Sequence, residues 1–267
     1  MVDEYPCMTR MGEYQFFMNK GVDTPFTKLL KDKIISFEPF FLKRNDKSSL
    51  IYKDGHVYYV DFSSKHNMNQ KGINTDSVEW IVQEAIETSN TVPCDLKIVY
   101  HHKKGIIFAY AKYNENTENK IVYHHLGAKY IKLYPVLDGP LTTDAVSSLD
   151  SMGIDPSNIK VPTELKDIVL SIAPEYHSIL CNYFEEKGVS PVLNQEISFD
   201  FKYGRSSSTP SKEEHKNFLH SSSTPRWYAL EINSNPSKIK DAVFIQYQSK
   251  MNKLFFSHIP HFFSFHK

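Results

Sequence analysis

The period of the hydrophobic positions changes several times along this chain, and each change predicts an element. Residues 49–53 and 56–62 are rich in Tyr, Val and Ile and flank Asp54-Gly55, a pair whose tolerance of positive φ suits a two-residue hairpin turn. Between 77 and 88, Val78, Ile81, Val82, Ala85 and Ile86 recur at helical spacing behind an Asp76/Glu79 capping pattern, which predicts an amphipathic helix. Three strand-like runs follow at 96–102, 106–113 and 120–134, joined by Lys103-Lys104-Gly105 and by residues 114–119. Their short connections predict an antiparallel meander.

Residues 141–188 return to helical spacing, with Leu165, Ile168, Val169 and Ile172 on one face and Tyr176, Ile179, Leu180, Tyr183 and Phe184 on the next. Pro174 is expected to separate two helices, and Gly188 to end the second. Period two resumes with Ile197, Phe199, Phe201 and Tyr203, then Tyr228, Leu230 and Ile232, then Val243, Ile245 and Tyr247. Residues 205–226 carry Ser-Ser-Ser-Thr-Pro twice and predict an exposed excursion, in which Thr209-Pro210 and Thr224-Pro225 are formal sites for a proline-directed kinase.

The expected class is α+β: antiparallel meander sheets with an amphipathic helix and a central helical insert. The expected organisation is an N-terminal α+β region with the meander (1–140), a helical segment (141–188) and a β-rich C-terminal region (189–267) packed with the first as one large domain.

Composition narrows the function. The 267 residues are 40% hydrophobic and include 18 Phe and 16 Tyr, enough to build a core. Lys plus Arg and Asp plus Glu both number 31, so net charge gives no general attraction to nucleic acid. Cys7, Cys94 and Cys181 are far apart and outside any zinc-ligand spacing, so they read as reduced thiols. The longest purely apolar run, 106–111, is far short of the ~20 residues of a membrane span, and no secretory apolar region is visible in the first thirty. The expected location is cytoplasmic, in the chain's own cell or in a host cell.

Phosphate-binding loops, dinucleotide fingerprints, nucleophile elbows and zinc-protease motifs are missing, so neither cofactor nor metal is expected. What stands out is Lys-Ile-Val-Tyr-His-His, present at 97–102 and again at 120–125. In the expected meander Tyr100 faces Phe108 and Phe108 faces His125, with His102 and His125 on one face and His101 and His124 on the other. Residues two strands apart lie ~9.5 Å from each other, too wide for one zinc but suited to a general base and general acid across a phosphodiester. Lys103, Lys104 and Lys129 would hold the phosphate. Cysteine chemistry is disfavoured: His56 and Asp61 alternate to opposite faces, and Cys181 sits in mid-helix as a core residue. The aromatic tail 255–263 reads as an edge strand completing the core.

The leading expectation is an interaction or binding protein with a macromolecular partner, a protein. One alternative is a metal-independent hydrolase or lyase using His101, His102, His124 and His125, and another is a delivered effector or toxin.

Overall fold

The computed structural model describes residues 9–30, 40–45, 57–60, 79–87, 94–114, 122, 128–134, 141–188, 196–206 and 224–233. All of them belong to the first of the chain's two units, Met1–Pro236.

Helix α1, Arg10–Asn19, begins at Thr9, whose hydroxyl accepts the Gly12 N–H, and it inserts Phe16 and Phe17 into the core. A small antiparallel sheet follows: β1 (Thr27–Leu29), β2 (Phe40–Arg44), β3 (Val57–Val60) and β4 (Trp80–Glu84), in the order β1-β4-β2-β3. The large sheet is built from β5 (Cys94–His101), β6 (Gly105–Tyr113), β7 (Lys129–Tyr134), β8 (Glu196–Gly204) and β9 (Arg226–Asn233), in the order β7-β6-β5-β8-β9 and antiparallel throughout. Helices α2 (Thr143–Ser151) and α3 (Thr163–Glu186) cross from its third to its fourth strand in the sequence. The α+β class with antiparallel sheets is therefore the observed one, and β7-β6-β5 is the meander.

One face of the large sheet makes the main core. Leu96, Ile98 and Tyr100 of β5 join Ile197, Phe199 and Phe201 of β8 against Leu165, Val169, Ile172, Tyr176 and Leu180 of α3. The small sheet has a core of its own in Phe40, Leu42, Trp80 and Val82. At the junction, Glu87 and Arg205 exchange backbone bonds of 2.9 and 2.8 Å, and the Ala229 N–H reaches Asp23 O at 2.8 Å. Gly204 sits where a Cβ would lie 2.3 Å from the Glu87 carbonyl oxygen, so this approach of the two backbones needs glycine.

Four expectations are corrected. Residues 80–84 form β4, not a helix: every position of the strand is buried, and Trp80, Ile81 and Val82 are apolar in succession, so the alternation of a half-exposed strand disappears. Pro174 does not divide α3, because it lies on the exposed side, where the carbonyl it leaves unpaired can reach water. The third meander strand is Lys129–Tyr134, and Tyr110 and Lys112 of β6 face Lys132 and Tyr130. A bulge after Val99 sets Val99, rather than Tyr100, opposite Phe108.

The strand at 57–60 pairs with β2, while Asp54-Gly55 and its first arm, 49–53, fall outside the described residues. So do the second hexapeptide apart from Val122, residues 207–223 of the excursion, the strand expected at 243–247 and the aromatic tail. Gly188 ends α3 at φ 68°, as expected. Among the described residues no helix is long and apolar enough to cross a membrane.

Candidate functional site

Alternation sends every second residue of the large sheet away from the α3 core. On that opposite face lie Asp95 and Lys97 of β5, Lys112 of β6, and Ser198, Asp200 and Lys202 of β8. Register brings them side by side: Lys97 opposite Asp200, Asp95 opposite Lys112, Glu231 of β9 opposite Asp200, and Asn233 opposite Ser198. The result is a charged cluster in the middle of a sheet whose other face is hydrocarbon.

The pairing is dense. Asp200 Oδ1 accepts from Lys112 Nζ at 3.0 Å, and Oδ2 takes Lys97 Nζ at 3.0 Å and the Asn233 amide at 2.9 Å. The same amide donates to Glu231 Oε1 at 3.0 Å. Lys202 Nζ donates to Asp95 Oδ1 at 3.0 Å and to the Cys94 carbonyl at 2.7 Å. Lys97 and Asp200 are both buried, which makes their mutual neutralisation a condition of folding rather than a surface detail.

Charge also arrives from outside the large sheet. Arg10, the first residue of α1, forms an ion pair with Glu231 Oε2. Lys43 of β2 donates to Gln83 Oε1 at 2.6 Å, and the Gln83 amide in turn bonds the Thr27 hydroxyl at 3.1 Å. Both Lys43 and Gln83 lie on the side of the small sheet away from its own core. Burial, with the neighbouring Arg10 charge, pushes the Lys43 ammonium down to about 8, against the pull of Glu231, Asp95 and Asp200. Burial opposes ionisation of Glu231 as well, but Arg10, Lys43 and Lys97 outweigh it and hold its carboxyl well below the ordinary value. Lys112 is raised: burial works against its charge, and Asp200 and Asp95 overcome it.

Among the described residues of the cluster, Arg10, Lys43, Lys97, Lys112 and Lys202 outnumber Asp95, Asp200 and Glu231, and Glu13 beside Arg10 does not remove the excess. Such a site attracts anions. No group of three His, Cys, Asp or Glu among the described residues is arranged to hold a metal ion. The Asp200–Glu231 pair is instead completed by an amide, that of Asn233.

Of the four histidines expected to act, the structure describes two. His101 is buried at the end of β5 with its Nδ1 accepting the Lys103 N–H at 3.1 Å, whereas His102 lies in the turn. Rings 101 and 102 stack at 5.2 Å between centroids, and His102 stacks on His177 of α3 at 4.7 Å. His124 and His125 fall outside the described residues. Cys181 lies one helical turn from His177, its sulfur 3.7 Å from either ring nitrogen, and burial raises its thiol pKa. Cys94 is buried, and its thiol is raised by the same cause.

The residues that build the cluster carried a signal in the sequence: Asp95-Leu-Lys97, Asp200-Phe-Lys202 and Glu231-Ile-Asn233 place charged or amide groups at period two inside runs of strand-forming residues.

No family model matches the sequence, and no curated protein matches it either. Among solved structures, the chain is similar to D-alanine–D-alanine ligase from Bacillus anthracis complexed with ATP, at 11% identity and TM-score 0.45, over 92% of this chain and 61% of that one. The D-alanine–D-alanine ligase from Helicobacter pylori gives 14% identity and TM-score 0.45, over 93% and 60%. An ADP complex of N5-carboxyaminoimidazole ribonucleotide synthetase gives 11% and 0.44, over 87% and 46%. The chain thus spans less than two thirds of the length of these proteins.

Proposed function

We propose that the charged cluster is a binding site for a divalent cation and a nucleoside triphosphate, and that the chain is an ATP-dependent ligase, ATP-grasp-like in kind. This replaces the binding-protein and hydrolase expectations. The observation that supports the site is the single amide of Asn233 bridging carboxylates from two neighbouring strands inside an excess of cations.

The donor set fits magnesium or manganese, since carboxylate and amide oxygens are hard ligands and turning the Asn233 amide over presents its oxygen between Asp200 and Glu231. Lys97, Lys112, Lys43 and Arg10 would pair with phosphate oxygens as charge-assisted donors. Lys43, from the small sheet, and Lys97 and Lys112, from the large one, would approach the phosphates from opposite sides and orient them. A bound divalent cation would supply charge neutralisation at the phosphates. Ligation is the finer part of the proposal and has a test of its own. Purified chain is given ATP, magnesium and a pool of carboxylic acids and amines, and phosphate release is followed; release by the wild type that Asp200→Asn abolishes is expected. No release, or equal release by both, contradicts the ligase reading.

A further inference from the structure

We propose that Arg10 is a built-in counter-cation that holds Glu231 until a divalent cation takes its place, so that cation binding releases the first turn of α1. The inference rests on the proposed cation site.

All four carboxylate oxygens of Asp200 and Glu231 already have protein donors. Lys112 serves Asp200 Oδ1, Lys97 and Asn233 serve Oδ2, Asn233 serves Glu231 Oε1, and Arg10 serves Oε2. A cation entering between the two side chains must therefore compete with one of them. Lys97 and Lys112 stand on strands of the same sheet as Asp200, β5 laddered to β8 and β6 to β5. Arg10 differs, because it reaches Glu231 from α1, across more than two hundred residues of sequence, and gives that carboxylate a full positive charge. A guanidinium stays protonated throughout the accessible pH range, so it cannot leave by losing its proton. Only another cation, or a competing anion, displaces it.

The displacement would be felt elsewhere. The Arg10 N–H donates to Asn45 O at 2.8 Å and the Met11 N–H to Asn45 Oδ1 at 2.9 Å, while Asn45 N–H donates to Glu79 O at 2.9 Å. Asn45 directly follows β2. Arg10 thus joins β9 of the large sheet, the start of α1 and the end of β2 in one set of contacts, and removing its grip on Glu231 loosens that set. Glu13, one turn along α1, acts on Arg10 and is held by the Tyr176 hydroxyl at 2.8 Å, so an acid remains beside the guanidinium when Glu231 is taken.

The test is titration of the full chain with manganese chloride alone, followed calorimetrically, for wild type and Arg10→Gln. A competing charge-assisted hydrogen bond corresponds to roughly 10- to 100-fold in affinity, so the variant is expected to bind manganese tighter by that factor. Hydrogen exchange on the wild type gives a readout that needs no variant: amides 10–13 are expected to exchange faster with manganese than without. Manganese bound by the wild type, with affinity unchanged or lower in Arg10→Gln or with slower exchange in α1, overturns the role of Arg10 and leaves the cation site standing. Manganese bound by neither protein overturns the site and this role together.

Discussion

The side-chain amide of Asn233 donates to Asp200 Oδ2 at 2.9 Å and to Glu231 Oε1 at 3.0 Å, so one group on β9 ties two carboxylates that stand opposite each other on adjacent strands. Two like charges held this close require compensation, and Lys97, Lys112 and Arg10 provide it. The cluster is thus a structural unit of the large sheet.

Asp200 should be the residue whose loss costs most. Asp200→Ala leaves the buried ammonium of Lys97 and that of Lys112 without their shared carboxylate, and breaking buried ion pairs in this way costs about 3–5 kcal/mol. Asp200→Asn keeps the shape and an acceptor but not the charge, and should cost most of that amount in urea unfolding. A loss near zero for Asp200→Asn would mean that the charge of Asp200 contributes little to stability.

Lys43 should give nucleotide binding a pH limit. Burial, and then Arg10, bring its ammonium down to about 8. The linkage sign follows: a lysine that holds its proton more weakly folded than unfolded lowers stability while protonated, so its contribution improves as pH rises from about 8 toward the ordinary 10.5. With Lys43 on the phosphates as proposed, affinity for ATP should move the other way, because its positive charge is lost above about 8. It should fall by at most about tenfold per pH unit there, and Lys43→Arg should move the fall to higher pH. A flat profile in the wild type would remove Lys43 from the phosphate contacts.

The junction between the sheets depends on Gly204. A methyl group there meets the Glu87 carbonyl oxygen at 2.3 Å and the Ile86 side chain at 2.7 Å. Backbone cannot step aside as a side chain can, so Gly204→Ala should destabilise by about 2–4 kcal/mol, within the range of overpacked and strained substitutions. Gly188→Ala, which meets nothing within 4 Å but keeps φ at 68°, should cost only about 1 kcal/mol. Thermal unfolding of both variants separates contact from conformation.

Ser198 makes a prediction of the opposite sign. Its hydroxyl is fully buried, two residues from Asp200, and has no hydrogen-bond partner among the described residues. Ser198→Ala removes a polar group that burial penalises and should be neutral or stabilising by up to about 1 kcal/mol. Ser148→Ala, which loses a 2.7 Å bond to the Asp144 carbonyl, should destabilise. Denaturant midpoints decide both.

The parts of the fold that the sequence made legible are those whose apolar residues recur at a regular period among polar ones. Period two over Ile197, Phe199 and Phe201, and over Tyr228 and Ile232, marked β8 and β9, and the apolar stripe from Leu165 to Leu180 marked α3. Trp80 to Glu84 misled because Trp80, Ile81 and Val82 are apolar in succession, which erases the alternation, and helical spacing can be picked out of any continuous apolar run. Lys97 shows why the cluster was harder to see. It is the first residue of a repeated hexapeptide whose histidines are the more conspicuous groups, whereas its partner Asp200 lies about a hundred residues away and is brought beside it only by the β5–β8 pairing. Charged residues at period two inside a strand were the available sign, and no local pattern says which strand they face.

The most direct measurement is calorimetric titration of ATP into the full chain with and without magnesium, for wild type, Asp200→Asn and Glu231→Gln. A nucleotide site built on Asp200, Glu231 and Asn233 should bind ATP in the wild type, more tightly with magnesium than without, and both variants should lose at least the magnesium-dependent part of that affinity. Wild-type protein that takes up no ATP, or variants that bind it with undiminished magnesium dependence, would contradict the assignment of the cluster as a nucleotide site.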